Sequence, residues 1–334
     1  MLSRRHMRFA ARYAAHRFRA LHPFEVQASL LNACNLRCAY CRCPDVKIEM
    51  MTTEQWVKTV EGLGSHGTMR IKYQGGEPTM RADFRTICAA SQAAGILTAV
   101  VTNGQQFAAK PDLLDHLDEI VFSLDSATPE HNDRMRGAGV HAGVVEAIGL
   151  ARERGINLFI NMVVTRDNLG EIEPMLDFCE AGGIGLHVQP AVAGRKYYDD
   201  AVREFALDDA QIRTMHARLG EWKRQGRPLM FAAVTYENVL NWSDFTEISR
   251  RMPGESTCMA GKFYVHIEPN GDVHPCNQHD SVFEPKNIVR DGLDAALAHT
   301  QQHDCGDCFS VYLNERKAVF GMRPIALWEM ARRG

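Results

Sequence analysis

The amino-acid sequence predicts an α/β fold: a partial (β/α)6 TIM-like barrel of parallel strands, followed by a small C-terminal domain built from a β-hairpin and helices. The first observation is that short apolar runs typical of buried strands alternate six times with stretches of helical periodicity between residues 25 and 225. The second is that the connections are short, as expected for right-handed crossovers in a parallel sheet. Because six units are fewer than the eight of a closed barrel, we expect an open one, with its functional groups at the carboxyl ends of the strands.

The strands and helices follow one another in a regular order. Strands are predicted at residues 25–31, 69–74, 97–101, 120–124, 156–164 and 184–189. Helices are predicted at about 53–63, 81–94, 112–117, 141–154, 168–181 and 208–225, the first capped by Thr52 or Thr53 and the last by Asp208. This order divides the chain into an N-terminal helix (1–24), the barrel (25–235) and the C-terminal domain (236–334).

Charge separates the N-terminus from the rest of the chain. The whole chain has a formal net charge of -3 and a pI of about 6.5, which argues against nucleic acid as a partner. Residues 1–24 carry six arginines and no acidic residue, and apolar residues lie between them. This pattern predicts a basic amphipathic helix, which either packs over the bottom of the barrel or rests on an anionic membrane surface. No apolar run could span a bilayer and no signal peptide is found, so we expect a cytoplasmic protein, peripheral to the inner membrane surface in the second case.

Three cysteines follow the first predicted strand: Cys34, Cys38 and Cys41. Thiolates this close together indicate a metal site, because a reducing cytosol disfavours disulfides. Two interpretations stay open from the spacing alone. The loop could hold three irons of a four-iron, four-sulfur cluster and leave the fourth iron free, or it could hold a structural zinc with Cys43 or a distant residue as fourth ligand.

Polar or glycine-rich residues also follow the other predicted strands. The second strand ends in Gly75-Gly76-Glu77-Pro78, and the third runs into Thr102-Asn103. The carboxyl ends of parallel strands meet at one rim of a barrel, so we expect these residues to lie near the cysteine loop. The same rim should hold residues from the fourth and sixth strands, namely Ser123, Asp125 and Gln189.

The three cysteines, with Tyr40 before the last of them, and the Gly-Gly-Glu-Pro turn one strand later resemble the radical S-adenosylmethionine (radical SAM) superfamily over roughly residues 26–235. The resemblance implies a four-iron, four-sulfur cluster whose fourth iron is chelated by the amino and carboxylate groups of S-adenosylmethionine. It also implies that one electron from the reduced cluster cleaves the sulfonium and yields a 5′-deoxyadenosyl radical. The structural zinc then becomes the weaker interpretation.

The resemblance also implies roles for individual residues. Gly75 and Gly76 would let the backbone approach the methionine end of the cofactor, Glu77 would bind its ammonium, and Pro78 would fix the turn. Further contacts to adenine, ribose, carboxylate groups or substrate are implied for Tyr40, Thr102, Asn103, Ser123, Asp125 and Arg136. The alternative for each of these is ordinary capping or turn chemistry. Cys43 is extra to the family pattern and is either a bystander or an alternative ligand.

A second group of four cysteines lies near the end of the chain. The group surrounds a predicted hairpin, residues 263–274, with an Asn270-Gly271 turn. This arrangement resembles the twitch domain, the one-cluster short form of the SPASM extension of some radical SAM enzymes. The resemblance implies one auxiliary four-iron, four-sulfur cluster, and a zinc knuckle is the alternative. The four ligands would be Cys258, Cys276, Cys305 and Cys308.

The expected activity is hydrogen abstraction from a small metabolite or lipid, in a biosynthetic oxidation or rearrangement. A peptide-modifying maturase of the SPASM type is the alternative; it is placed second because no leader-recognition domain is found in the sequence. A non-catalytic iron-sulfur electron carrier is the third possibility. A one-electron reductase such as flavodoxin or ferredoxin would be the partner, and the candidates for catalytic proton transfer are Asp125, Gln189 and Tyr198.

Overall fold

The structure is a computed structural model that describes residues 23–191, 202–247, 249–251, 258–278 and 283–321. Residues 1–22 of the predicted N-terminal helix lie outside these ranges, and so does Tyr198.

Within the described ranges, no helix combines the length and the apolar character that crossing a membrane requires.

The predicted partial barrel is confirmed by the strand order. Six strands lie side by side in chain order, and each is parallel to the next. Each strand begins and ends within two residues of its predicted bounds. The strands are β1 (Glu25–Leu31), β2 (Arg70–Gly75), β3 (Leu97–Thr102), β4 (Glu119–Ser123), β5 (Asn157–Val164) and β6 (Gly185–Pro190).

The helices of the barrel follow the predicted order with three differences. The segment predicted as a helix at 112–117 is a short 3-10 turn, Pro111–Leu114, and the helix expected from residue 168 begins with a 3-10 turn at Leu169–Glu171. A helix at Pro129–Arg136 was not predicted, because this charged segment lacks an apolar stripe. The helices are α1 (Thr53–Ser65), α2 (Phe84–Ala93), α3 (Pro129–Arg136), α4 (Val140–Glu153), α5 (Ile172–Gly182) and α6 (Asp209–Arg224).

The C-terminal part of the chain extends the barrel sheet. Its predicted hairpin is formed by two antiparallel strands, and the first of them pairs in parallel with β1. The new strands are β7 (Ser249–Arg251), β8 (Tyr264–Ile267), β9 (Asp272–His274), β10 (Lys286–Asn287) and β11 (Cys305–Cys308). The sheet order in the described residues is therefore β10-β9-β8-β1-β2-β3-β4-β5-β6, and β7 pairs separately with β11. The new helices are α7 (Ala233–Asn238), α8 (Ile288–Asp291), α9 (Leu293–Thr300) and α10 (Val311–Phe320).

The alternation of apolar and polar side chains along β2 shows how the inside of the barrel is lined. Ile71 and Tyr73 are fully buried in the core between the sheet and its helices. Arg70, Lys72 and Gln74 alternate with them and line a cavity inside the barrel. Because successive side chains of a strand point to opposite faces, one strand supplies both an apolar packing surface and a polar interior.

Charged residues close the barrel at the amino ends of its strands. We call this the floor cluster, and its centre is the buried carboxylate of Glu25. Arg316 of α10 donates two hydrogen bonds to it at 3.0 Å, the Tyr312 hydroxyl donates a third at 2.7 Å, and Arg70 pairs with it as well. Arg70 also pairs with Glu119 at 2.7 Å. The cluster thereby fixes α10 to the first strand of the barrel. Its members are Glu25, Arg70, Lys72, Glu119, Tyr312 and Arg316.

The charges of the floor cluster make folding stability depend on Glu25. Burial would raise the pKa of this carboxyl, but attraction by the Arg316 and Arg70 guanidinium groups outweighs burial and holds the pKa well below its usual 4.5. A carboxyl whose pKa is lowered by folding stabilises the fold above its unfolded pKa, and this contribution is lost as the pH falls.

We expect Glu25→Gln to lower the free energy of unfolding by about 3 kcal/mol, because it leaves buried arginines without their countercharge. Urea denaturation followed by circular dichroism measures the effect. The matched control is Asp112→Asn, which removes a 2.9 Å ion pair to Arg85 on the surface and should cost less than about 1 kcal/mol. Equal effects of the two substitutions would contradict the assignment.

Candidate functional site

The cysteine loop lies at the carboxyl end of β1, as predicted. Cys34, Cys38 and Cys41 are each partly buried, are not in disulfides and line one cavity. Burial raises the pKa of Cys38 to about 11 and also raises the pKa values of Cys34 and Cys41. Such thiols stay protonated at neutral pH unless a metal stabilises the thiolate, so a loop of soft ligands for a metal cluster fits this site. Among the residues described, no three His, Cys, Asp or Glu side chains converge as ligands of a single metal ion.

The double glycine is required by the backbone beside it. At Gly76 a Cβ atom would lie 2.1 Å from the Ala33 carbonyl oxygen, and at Gly75, where φ is +132°, it would lie 2.2 Å from the Leu31 carbonyl oxygen. The Gly76 N–H donates to the Leu31 carbonyl at 2.7 Å, and the Glu77 N–H donates to the Ala33 carbonyl at 2.9 Å. The turn after β2 is therefore hydrogen-bonded directly to the segment that leads into the cysteine loop.

Glu77 is a buried carboxylate that accepts hydrogen bonds but has no cationic partner among the described residues. Thr79 and Thr102 donate their hydroxyls to it at 2.6 and 2.7 Å, and the Asn103 N–H donates at 2.8 Å. Burial raises the pKa of Glu77 despite these hydrogen bonds. A buried, fixed anion without a countercharge fits the ammonium group of a ligand.

Asn103 connects this carboxylate to the cysteine loop. Its backbone N–H donates to Glu77, while its side-chain amide donates to the Asn35 side chain at 2.8 Å and lies 3.7 Å from the sulfur of Cys34. The rim residues that follow β2 and β3 are therefore in contact with the loop that follows β1, as the barrel prediction required.

Asp125 is held by several neighbours at the end of β4. The Tyr40 hydroxyl donates to it at 2.7 Å, Arg136 of α3 donates at 2.8 Å, and the backbone N–H of Val163 donates at 2.9 Å. Tyr40 and Arg136 line the cavity, whereas Asp125 is not among the side chains that line it. In this structure Asp125 positions Tyr40 and Arg136, and its role in proton transfer stays a prediction.

A second group of thiols forms where the C-terminal segments meet. Cys258, Cys276 and Cys308 belong to one packed cluster, and Cys305 hydrogen-bonds Cys258. That hydrogen bond lowers the pKa of Cys258 to about 7 although burial opposes it, and burial raises the pKa of Cys308. The structure therefore brings together all four cysteines that the sequence predicted, and four neighbouring thiols fit the ligand set of an iron-sulfur cluster.

One cavity of about 250 Å³ is lined by the thiols of the cysteine loop and by none of the four thiols of the second group. It begins at the cysteine loop and reaches Asn277 and Ser310, which are close in sequence to Cys276 and Cys308. Ser123 and Gln189 line it from the rim, as predicted. A small molecule or a single side chain of a larger substrate could occupy this volume.

Comparison with known proteins identifies this arrangement. Residues 29–179 match the protein-family model described as the Radical SAM superfamily. The chain contains a radical SAM domain and is an enzyme. The cofactors of this superfamily are a four-iron, four-sulfur cluster and S-adenosylmethionine.

Similar proteins cover most of this radical SAM enzyme. It is 28% identical over 284 residues to the mycofactocin maturase MftC of Mycobacterium ulcerans, which spans 79% of this chain and 71% of that protein. It is 27% identical over 273 residues to the PqqA peptide cyclase of Ruegeria pomeroyi, spanning 78% of this chain and 69% of that one.

Solved structures share the fold. Streptococcus suis SuiB bound to S-adenosylmethionine aligns with a TM-score of 0.64 and 21% identity, covering 86% of this chain and 68% of SuiB. The anSMEcpe protein with bound AdoMet aligns with a TM-score of 0.61 and 14% identity, covering 93% of this chain and 99% of that one. These alignments support the fold of the radical SAM enzyme.

Some residues that support or line the site were missed by sequence reasoning. Asn168 donates to the Asp125 and Val163 carbonyls at 2.9 Å, and Asn132 accepts the Asp125 N–H at 3.0 Å. Both lie in segments interpreted as helix or loop by periodicity, which carries no information on a single polar side chain. Lys72 was missed as well, although its alternation with apolar neighbours on a buried strand was a usable signal.

We expect Gly76→Ala to reduce S-adenosylmethionine cleavage roughly a hundredfold, because displacing the turn by about 1 Å misplaces Glu77. Release of 5′-deoxyadenosine by the anaerobically reconstituted enzyme measures the effect. Gly149→Ala on α4 is the control, since nothing lies within 4 Å of the added Cβ there. A Gly76→Ala variant with wild-type cleavage would refute this role.

The role of Cys43 in the cysteine loop, as a bystander or as an alternative ligand, stays a prediction. It is buried in the 3-10 turn Cys43–Asp45. Its backbone N–H hydrogen-bonds the Cys41 sulfur and counteracts the rise in the pKa of Cys41 that burial causes. This backbone contact does not depend on the Cys43 thiol.

We therefore expect Cys43→Ala to leave S-adenosylmethionine cleavage at the wild-type level. Cys41→Ala, two residues earlier, should abolish cleavage and lower the cluster absorbance by about half, because the auxiliary cluster keeps its own four ligands. Loss of cleavage in Cys43→Ala would instead identify Cys43 as a cluster ligand.

Proposed function

We propose that this radical SAM enzyme modifies a peptide, one side chain of which enters the cavity between the two groups of thiols. The observation that carries the proposal is that a single cavity is lined both by the cysteine loop and by Asn277 and Ser310, which are one and two residues from Cys276 and Cys308 in the sequence. A substrate there would lie beside the cofactor on one side and near the auxiliary cluster on the other.

The similar proteins support a peptide substrate over the small metabolite or lipid preferred from the sequence. MftC is a mycofactocin maturase, and the second relative is a PqqA peptide cyclase. SuiB has also been solved bound to its precursor peptide SuiA, and that structure aligns with a TM-score of 0.63. The peptide alternative thus becomes the main proposal.

The site supports an assignment of the cluster ligands. Cys34, Cys38 and Cys41 would hold the cluster that binds S-adenosylmethionine, and Glu77 would bind the ammonium of that cofactor. Together these cofactors supply the one-electron chemistry that removes a hydrogen atom from an unactivated carbon. The second thiol group would hold the auxiliary cluster through Cys258, Cys276, Cys305 and Cys308.

The barrel itself contributes orientation and the exclusion of water. Val101, Val121 and Met230 form an apolar part of the cavity wall, and Asn161 and Gln189 offer side-chain amides. Such a wall binds the apolar part of a side chain, while its amides bind the polar groups of a peptide. A well-oriented carbon close to the cofactor reacts faster than a freely tumbling one.

The test uses the full chain, reconstituted anaerobically with iron and sulfide and reduced with dithionite. We expect about two four-iron clusters per chain and release of 5′-deoxyadenosine. Short peptides encoded next to the gene are then supplied with deuterium in their side chains. Deuterium in 5′-deoxyadenosine and a changed peptide mass are the expected results.

Glu77→Gln is the matched variant for this assay. It keeps the size of the side chain and removes the negative charge, so we expect it to lose S-adenosylmethionine cleavage while retaining both clusters. If the wild-type enzyme cleaves no S-adenosylmethionine, the electron-carrier alternative is favoured. Transfer of deuterium from a small metabolite or lipid, but from no peptide, would instead favour the small-molecule or lipid substrate that the sequence predicted.

A further inference from the structure

Lys72 is a buried lysine inside the barrel for which the proposed chemistry provides no role. It lies on β2 between Gln27 of β1 and the small side chain of Ala99 on β3, is only 8% exposed, and lines the cavity. Its ammonium group has neither a hydrogen-bond acceptor nor a carboxylate partner among the described residues. Its contact is with the ring of Tyr312, whose centroid lies 4.1 Å away.

The other charges of the floor cluster are paired. Arg70 pairs with Glu25 and Glu119, and Arg316 pairs with Glu25. Three cationic side chains therefore face two carboxylates, and Lys72 carries the charge left over. Arg70, Lys72 and Arg316 line the cavity, whereas Glu25 and Glu119 are not among the residues that line it.

The acidic residues that do line the cavity have other neighbours. Glu77 accepts its hydrogen bonds at the opposite rim, and Glu268 lies 3.3 Å from His266 on β8. Burial lowers the pKa of Lys72 well below its ordinary value, repulsion by Arg70 adds to this effect, and attraction by Glu25 opposes it only in part. An anion brought in by a ligand and placed against this amine would favour its charged form.

We propose that Lys72 binds a carboxylate group of the substrate at the floor of the cavity. A carboxylate carries one negative charge and so matches the single surplus positive charge of the floor cluster, which a phosphate dianion would exceed. The inference rests on the proposed function, because a peptide offers this group either as an acidic side chain or as its C-terminus. Bound there, the carboxylate would fix how deeply the substrate enters the barrel.

The test measures the binding of small probes to the reconstituted full chain with S-adenosylmethionine, by ligand-observed NMR titration. The first probe, acetyl-Ala-Glu-Ala-amide, carries a side-chain carboxylate, and the second, acetyl-Ala-Ala-Ala, carries a C-terminal one. Acetyl-Ala-Gln-Ala-amide is the neutral reference. Butyrate and butyramide form a singly charged and a neutral pair without a peptide backbone.

We expect at least one carboxylate probe to bind about tenfold more tightly than its neutral counterpart, because its hydrogen bond to Lys72 is charge-assisted. Lys72→Met should abolish that preference and leave binding of the neutral probes unchanged. Lys72→Arg should retain it. The two acidic peptides distinguish a side-chain carboxylate from a C-terminal one.

Two results would overturn the proposal: no preference for carboxylates in the wild-type enzyme, or a preference that survives in Lys72→Met. If Lys72→Met weakened charged and neutral probes equally, Lys72 would have a structural role only. A preference for butyrate that depends on Lys72, without peptide binding, would retain the carboxylate site and contradict the peptide proposal instead.

Discussion

The close approach of two backbones is the constraint on which the site depends. The Gly-Gly turn after β2 lies against the carbonyls of Leu31 and Ala33, and no side chain fits between them. This contact sets the position of Glu77 relative to the cysteine loop, and Asn103 makes a second connection between the same two elements. Because the backbone rather than flexible side chains determines these positions, the anionic group and the thiols are arranged before any cofactor binds.

The opposite end of the barrel is stabilised differently, by charges rather than by backbone contacts. Glu25 takes hydrogen bonds from two side chains of α10 and ion-pairs with Arg70. A buried ion pair adds little stability compared with apolar packing, but losing one partner is costly. The floor cluster therefore specifies which helix closes the barrel, and it gives the end of the cavity a positive charge. The rim of the barrel therefore fixes the positions of Glu77 and the thiols, and the floor cluster determines which charge the cavity favours in a ligand.

Much of the barrel could be predicted from the sequence, because strands and helices have different apolar periods and the rim residues follow the strands. The thiols and the Gly-Gly-Glu-Pro turn were predicted because their chemistry is tied to short spacings. The helix at Pro129–Arg136 was missed since its few buried residues leave no periodic stripe. The contacts of Lys72 and Arg316 in the floor cluster could not be predicted, because they join segments far apart in the sequence and form only in the folded barrel.

The pairing of β8 with β1 has a consequence for biosynthesis. The first strand of the barrel is hydrogen-bonded on one side by β2 and on the other by a strand from far along the chain, and Ser29 and His266 are 237 residues apart. A ribosome makes the chain from the N-terminus, so one edge of β1 stays unpaired until most of the protein has emerged. An unpaired edge strand invites association with other chains. The hairpin that follows Cys258 therefore ends this exposure at the same time as it brings the second group of thiols to the barrel.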